Sequence, residues 1–296
     1  MKRSKLNSSE KYYAFAMVGP VVLGFLSLLA FPLIYEFYLS LTDTQLVGTA
    51  RFIGFENYKT LFTNDPVFVK SMGNSLYFTA ALVPLNISIA VLLACMLNNK
   101  LHGIGIFRTL IFMPNITPVV VWALVWKYIL ATDVGVINGF LQSFGIQGPA
   151  WLYSMSLTMP VMIINAVMKG VGLNMVIILS ALKSIPDVYY EAARIDGASP
   201  VKTFWHITIP MLSPILFMVT IMTIIGALKM FSLIYVFTGG GPARSTQLIV
   251  LYIFIKAFKE YQFGYAAAIA VLFFILILCL TLVQWTFRRR FVYAED

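Results

Sequence analysis

The sequence predicts an all-α membrane protein of six helical spans. Of its 296 residues, 60% are hydrophobic and 11% charged, and the mean hydropathy is +0.86. A soluble domain carries about 25% charged residues, so water is not the solvent for most of this surface. The apolar residues gather in six runs, each near or above the roughly 20 residues a helix needs to cross a bilayer. Lys and Arg cluster at the ends of those runs. The net charge of +9 therefore reflects topology, since no basic face interleaved with aromatics marks a nucleic-acid partner.

In chain order the runs cover 12–40, 72–98, 106–130, 155–182, 208–237 and 262–287. The first follows Lys2, Arg3 and Lys5 and is too long for the core of a signal peptide, so it reads as an uncleaved span. In the loop behind it, Phe52, Phe55, Tyr58, Leu61 and Phe62 recur at helical spacing. That pattern predicts an aromatic helix lying among lipid headgroups, with contact to an extracytoplasmic partner as the sharper alternative. The third run has a short uncharged core between Arg108 and Lys127. Pro32, Pro84, Pro114, Pro118 and Pro160 lie within runs, where a bundle can re-satisfy the freed carbonyls and kinks are expected. At the head of the sixth run, Gly264, Ala266, Ala267, Ala268 and Ala270 suit close helix packing. The expected division is 1–71 for the N-terminal tail, first span and outer loop, 72–288 for the core, and 289–296 for a second tail.

Counting Lys and Arg between the runs and at their ends orients the chain. With both termini cytoplasmic, the inner side holds twelve, among them Lys100, Arg108, Lys183, Arg194, Lys202 and Arg288; the outer side holds six. The positive-inside bias favours that arrangement. It places the connection between the fourth and fifth runs in the cytoplasm.

That connection carries Tyr190-Glu191-Ala192-Ala193-Arg194-Ile195-Asp196-Gly197, with Ile207-Thr208-Ile209-Pro210 behind it. The segment has high helix propensity, and its two alanines predict a smooth face for a groove. Gly197 suits a left-handed helix end, Pro200 prevents continuation, and Pro210 is placed to begin the next span. A short polar helix here, between two long apolar spans, is a handle for another protein. The spacing Glu-Ala-Ala, three residues, Gly, nine residues, Ile-x-x-Pro resembles the cytoplasmic EAA loop of binding-protein-dependent ABC importer permeases. Ile209 stands where Leu is usual, a conservative departure. Phe112-Met113-Pro114-Asn115-Ile116-Thr117-Pro118, Leu182-Lys183-Ser184-Ile185-Pro186 and Thr238-Gly239-Gly240-Gly241-Pro242 look like the sugar-type branch.

The resemblance implies a type I ABC importer fold in a bacterial or archaeal cytoplasmic membrane. It implies a second permease subunit, identical or not, a pair of ATP-binding subunits and an extracytoplasmic solute-binding protein. It assigns ATPase coupling to Glu191, Ala192, Ala193, Asp196, Gly197, Ile207 and Pro210. No Walker-type motif is present, so ATP would be bound by the partner and this chain needs no cofactor.

Lys169 and Lys229 fall inside the fourth and fifth runs. A charge at a helix centre costs about 2.5–3.5 kcal/mol on insertion scales, so each needs a partner or a wet cavity. One reading has them line the solute route with Asn165, Asn174 and Ser232, Asn165 and Lys169 sharing a helix face. In the other, Lys229 pairs with Glu36 or snorkels, and Lys169 bonds backbone carbonyls near Gly170 and Gly172. Gly239-Gly240-Gly241 lacks the Lys-Ser or Lys-Thr of a phosphate loop and reads as a turn. Cys95, Cys279, His102 and His206 form no metal-ligand or nucleophile set. The rival function is a secondary transporter or channel that uses no ATPase.

Overall fold

In the computed structural model, the described residues are 8–98 and 103–291. Lys2, Arg3, Lys5 and Lys100 of the charge count lie outside them, as do His102 and the end of the C-terminal tail. Among the described residues the chain is helical, with only isolated bridges at Thr42–Phe52 and Gln45–Gln262. Five helical stretches are long and apolar enough to cross a membrane: Ala16–Ser40, Pro66–Leu97, Thr158–Ser184, Pro200–Leu228 and Phe263–Phe287. A bent pair, Ile104–Ile116 with Val119–Ile129, makes a sixth if counted as one span.

The chain divides into two compact units. One comprises the residues up to Asp65 together with Ile253–Phe273. It opens with α1 (Ser8–Phe25) and α2 (Phe31–Ser40), joined by a π-helical turn at Leu26–Ala30. Pro32 follows that turn. A proline ring clashes with the carbonyl four residues back, and the wider turn accommodates it. The loop after α2 is pinned by Asn57, whose Nδ2 donates to the carbonyls of Ser40 (2.9 Å) and Thr42 (2.8 Å). Gly264 passes so close to the Thr42 carbonyl that a Cβ would not fit. The expected aromatic helix is shorter than its pattern: α3 spans Glu56–Thr63. Phe52 pairs in a bridge before it, and Leu61 is buried while Phe52, Phe55 and Phe62 are exposed.

The second unit comprises Pro66–Tyr252 and the residues from Phe274 onward. Its core is α4 (Pro66–Leu97), α5 (Ile104–Ile116), α8 (Thr158–Ser184) and α11 (Ile209–Leu228) packed together. Phe78, Met162, Met175, Ile178 and Leu212 are fully buried there. Lipid tails are as apolar as these side chains, so packing and interhelical hydrogen bonds hold such helices together. Asn174 supplies two: its Nδ2 donates to Asn86 Oδ1 (2.6 Å) and Thr223 Oγ1 (3.0 Å), tying α8 to α4 and α11.

Two expected spans are not single helices. The third breaks between α5 and α6 (Val119–Ile129), turning through 101°, because Thr117 is extended and Pro118 has no N–H to continue the ladder. A short helix, α7 (Val136–Ser143), follows. The fifth run ends as α11 at Leu228; Lys229 caps it, and α12 (Ser232–Phe237) starts afresh. Its other end begins earlier than expected. Helix starts at Pro200 with α10 (Pro200–Thr203) and runs through a π-helical turn at Phe204–Thr208 into α11. Pro210 thus sits within a continuous helical run rather than starting it. The glycine run 239–241 is a turn, as expected. Helix α13 (Ile249–Phe254) leads to α14 (Phe263–Phe291), in which Ala266, Ala267 and Ala268 are buried.

Candidate coupling helix and membrane cavity

Helix α8 stops where Ile185 turns extended before Pro186. Pro186 then precedes α9, Asp187–Ile195, the short helix between the fourth and fifth spans. Asp187 in its first turn and Arg194 in its last both complement the helix dipole. Gly197 ends it with φ +67°. The Gly197 N–H donates to the Arg194 carbonyl (3.1 Å) and the Ala198 N–H to the Ala193 carbonyl (2.9 Å), the paired bonds of a left-handed glycine cap. Ser199 then turns extended and accepts the Lys202 N–H to cap α10.

One face of α9 holds it to its own chain. Ala193 is 7% exposed, and the Tyr190 hydroxyl meets Thr208 Oγ1 at 3.3 Å. A cavity of about 440 Å³ lined by Cys95, Tyr190, Arg194, Phe204 and Thr208 lies behind it. The opposite face is bare: Val188 is 62% exposed and Ile195 86%, with Ala192 and Glu191 also exposed. The expectation of a two-alanine face is corrected here. Neighbouring helical residues point about 100° apart, so Ala192 looks outward and Ala193 inward. The outer stripe is Val188, Ala192 and Ile195, at the i, i+4, i+7 spacing of one helix face, a spacing present in the sequence itself. Asp196 is exposed at the helix end, while Ile207 and Pro210 are half-buried in the following helix.

Of the five residues expected along the route, two meet in one cavity. It measures about 370 Å³ and is lined by Lys169 and Ser232 with Asn115, Val119, Gly226 and Phe231. Lys169 Nζ donates to the carbonyls of Pro114 (2.7 Å) and Thr117 (2.8 Å) and stands 5.8 Å from the Trp122 ring centroid. The expected bonds to backbone carbonyls are thus present, and the carbonyls belong to α5 and the break, against which Gly172 packs. Asn165 is 2% exposed and accepts the Trp122 Nε1–H at 2.8 Å. Asn174 is tied up in the contacts to α4 and α11. Lys229 is exposed at the end of α11 and does not line this cavity. Asn115 was missed as a site residue, although its neighbours, Pro114 and Pro118, signalled backbone groups needing side-chain partners.

A model of the family described as binding-protein-dependent transport system inner membrane component matches residues 66–293. The chain is 34% identical over 300 residues to a probable ABC transporter permease protein, YesP, of Bacillus subtilis, covering all of this chain and 96% of the relative. It is 34% identical over 294 residues to the lactose transport system permease protein LacF of Rhizobium radiobacter, covering 96% and 98%. The crystal structure of a bacterial alginate ABC transporter, bound to a periplasmic protein carrying alginate pentasaccharide, contains a chain of the same fold. The TM-score is 0.86 at 22% identity, with 97% and 98% of the two chains covered.

Proposed function

The chain belongs to the binding-protein-dependent transport system inner membrane component family, and we propose that it passes a sugar or sugar-like solute from an extracytoplasmic binding protein into the cytoplasm. As a family member it is a multi-pass permease subunit of an ABC importer. The sugar class rests on relatives such as the lactose permease protein, aligned over nearly the whole chain. The assembly we propose adds a second, non-identical permease and two ATP-binding subunits, with both termini of this chain in the cytoplasm.

The observation that carries the coupling reading is the bare apolar stripe of α9. Val188, Ala192 and Ile195 stand exposed on a polar connection, where water makes such a face unfavourable unless a partner covers it. Glu191 beside them offers a polar contact, and Gly197 fixes the length of the lever. Closure of the ATP-binding subunits would draw this helix toward its counterpart and rock the spans, opening the route outward; hydrolysis would reset it. Lys169, Ser232 and Asn115 would line part of that route.

The test is reconstitution of the whole transporter in vesicles with its binding protein outside and ATP inside. Uptake that requires both is expected. Uptake driven by a proton gradient without ATP would overturn the proposal in favour of a secondary transporter.

A further inference from the structure

We propose that Lys169 and Asn115 form a reciprocal clasp that sets the break in the third span, and that this clasp, rather than attraction of solute charge, is what Lys169 contributes to transport. The inference rests on the reading of the 370 Å³ cavity as part of the solute route.

The break leaves the backbone short of donors. In a continuous helix the carbonyl of Pro114 would accept the N–H of residue 118, but Pro118 has none. Thr117 is extended, with φ −68° and ψ 130°, so its own carbonyl is turned out of the ladder as well. In a bilayer each unsatisfied carbonyl costs several kcal/mol unless protein or water meets it. Lys169 Nζ meets both, at 2.7 and 2.8 Å. An ammonium has three donors, so two of the three are already engaged, and the Trp122 ring lies alongside. Trp122 in turn donates to Asn165 Oδ1 at 2.8 Å, one turn before Lys169 on α8.

The return half of the clasp runs from α5 to α8. With the Asn115 amide assigned the orientation that satisfies its neighbours, its oxygen accepts the Leu173 N–H at 2.9 Å and its nitrogen donates to the Lys169 carbonyl at 3.1 Å. Those two backbone groups are each other's i, i+4 partners in α8, so the asparagine is set into the helix ladder itself. Gly172 makes room, because a Cβ there would meet the Ile111 carbonyl and Phe112 Cα. Two carbonyls freed by the break are thus met by one side chain of α8. Val119, the first residue of α6, lines the cavity beside Asn115 and Lys169. Fixing the break fixes that wall. Only one Lys169 donor is left for a solute, while the other two hold the break.

The test uses the full transporter in nanodiscs and in vesicles. Lys169→Met is expected to raise amide exchange over residues 112–117 by at least about tenfold, the scale of losing charge-assisted bonds. Uptake is measured with those members of a panel of lactose, arabino-oligosaccharides and an oligogalacturonide that the unaltered transporter accepts. Maximal uptake should fall about equally for neutral and acidic sugars, with half-saturating concentrations moving less than about twofold. Asn115→Ala should do the same and raise exchange at Leu173, and the double variant should lose little more than either single one. Should Lys169→Met fail to insert, Asn115→Ala alone carries both readouts. Unchanged exchange over 112–117 would overturn the clasp. A loss confined to the acidic sugar would overturn it too, leaving the cavity on the route. Raised exchange with uptake intact for every sugar would overturn the positioning role, and the cavity's place on the route with it.

Discussion

Gly197 shows how one residue's conformation separates stability from function. Its φ of +67° costs a residue with a Cβ about 1–2 kcal/mol, yet nothing beyond its adjoining residues lies within 4 Å of where a Cβ would stand. Gly197→Ala should therefore loosen the end of α9, read as faster exchange at the Ala198 amide, and lower uptake in part. Gly197→Asn should cost less, since asparagine tolerates the left-handed region. Asn174 behaves differently because its role is internal. Asn174→Leu removes two interhelical bonds, each worth on average about 0.6 kcal/mol in membranes, and should lower the thermal stability of the purified complex; an unchanged melting temperature would count against its placement. At this scale the sequence was legible where backbone geometry is local. The glycine cap could be read from Gly197 alone. What Lys169 touches could not, because its carbonyl partners lie more than fifty positions earlier and are freed by a break that hydropathy does not register.

Helix α9 is held on one side by Ala193 and by Tyr190 against Thr208, and is open on the other. Ile195→Asp should therefore leave insertion intact and weaken retention of the ATP-binding subunits during purification. Ala193→Asp should instead damage the chain's own fold, seen as loss of inserted protein. If both behaved alike, the two-faced reading of α9 would be wrong. Element positions were readable from apolar run length for the first, second, fourth and sixth spans, which begin or end within a few residues of the expected limits. The third occupies its expected run but is bent where Pro114 and Pro118 lie, and the fifth is displaced, running Pro200–Leu228 instead of 208–237. A window of apolar residues reports burial in lipid, whereas continuity depends on backbone donors, and Thr117-Pro118 and the turn at Lys229 interrupt those without interrupting the hydropathy.

At the scale of the whole molecule, five apolar helices and one broken pair give the six-span plan, and the fold matches a solved alginate ABC transporter chain at a TM-score of 0.86. Composition alone set the class, since a chain with 11% charged residues has few means of staying in water. Family membership makes the chain the membrane component of a binding-protein-dependent transport system; that the energy arrives from an ATP-binding partner is our proposal. The proposed orientation places α9 on the cytoplasmic side, where ATP is. The most direct measurement is photo-crosslinking from a reactive residue at Ile195 in the assembled transporter, in native membranes. An adduct with the ATP-binding subunit is predicted, with a yield that changes when ATP is added. Labelling of that position by a membrane-impermeant reagent from outside the cell, or an adduct with lipid alone, would contradict it.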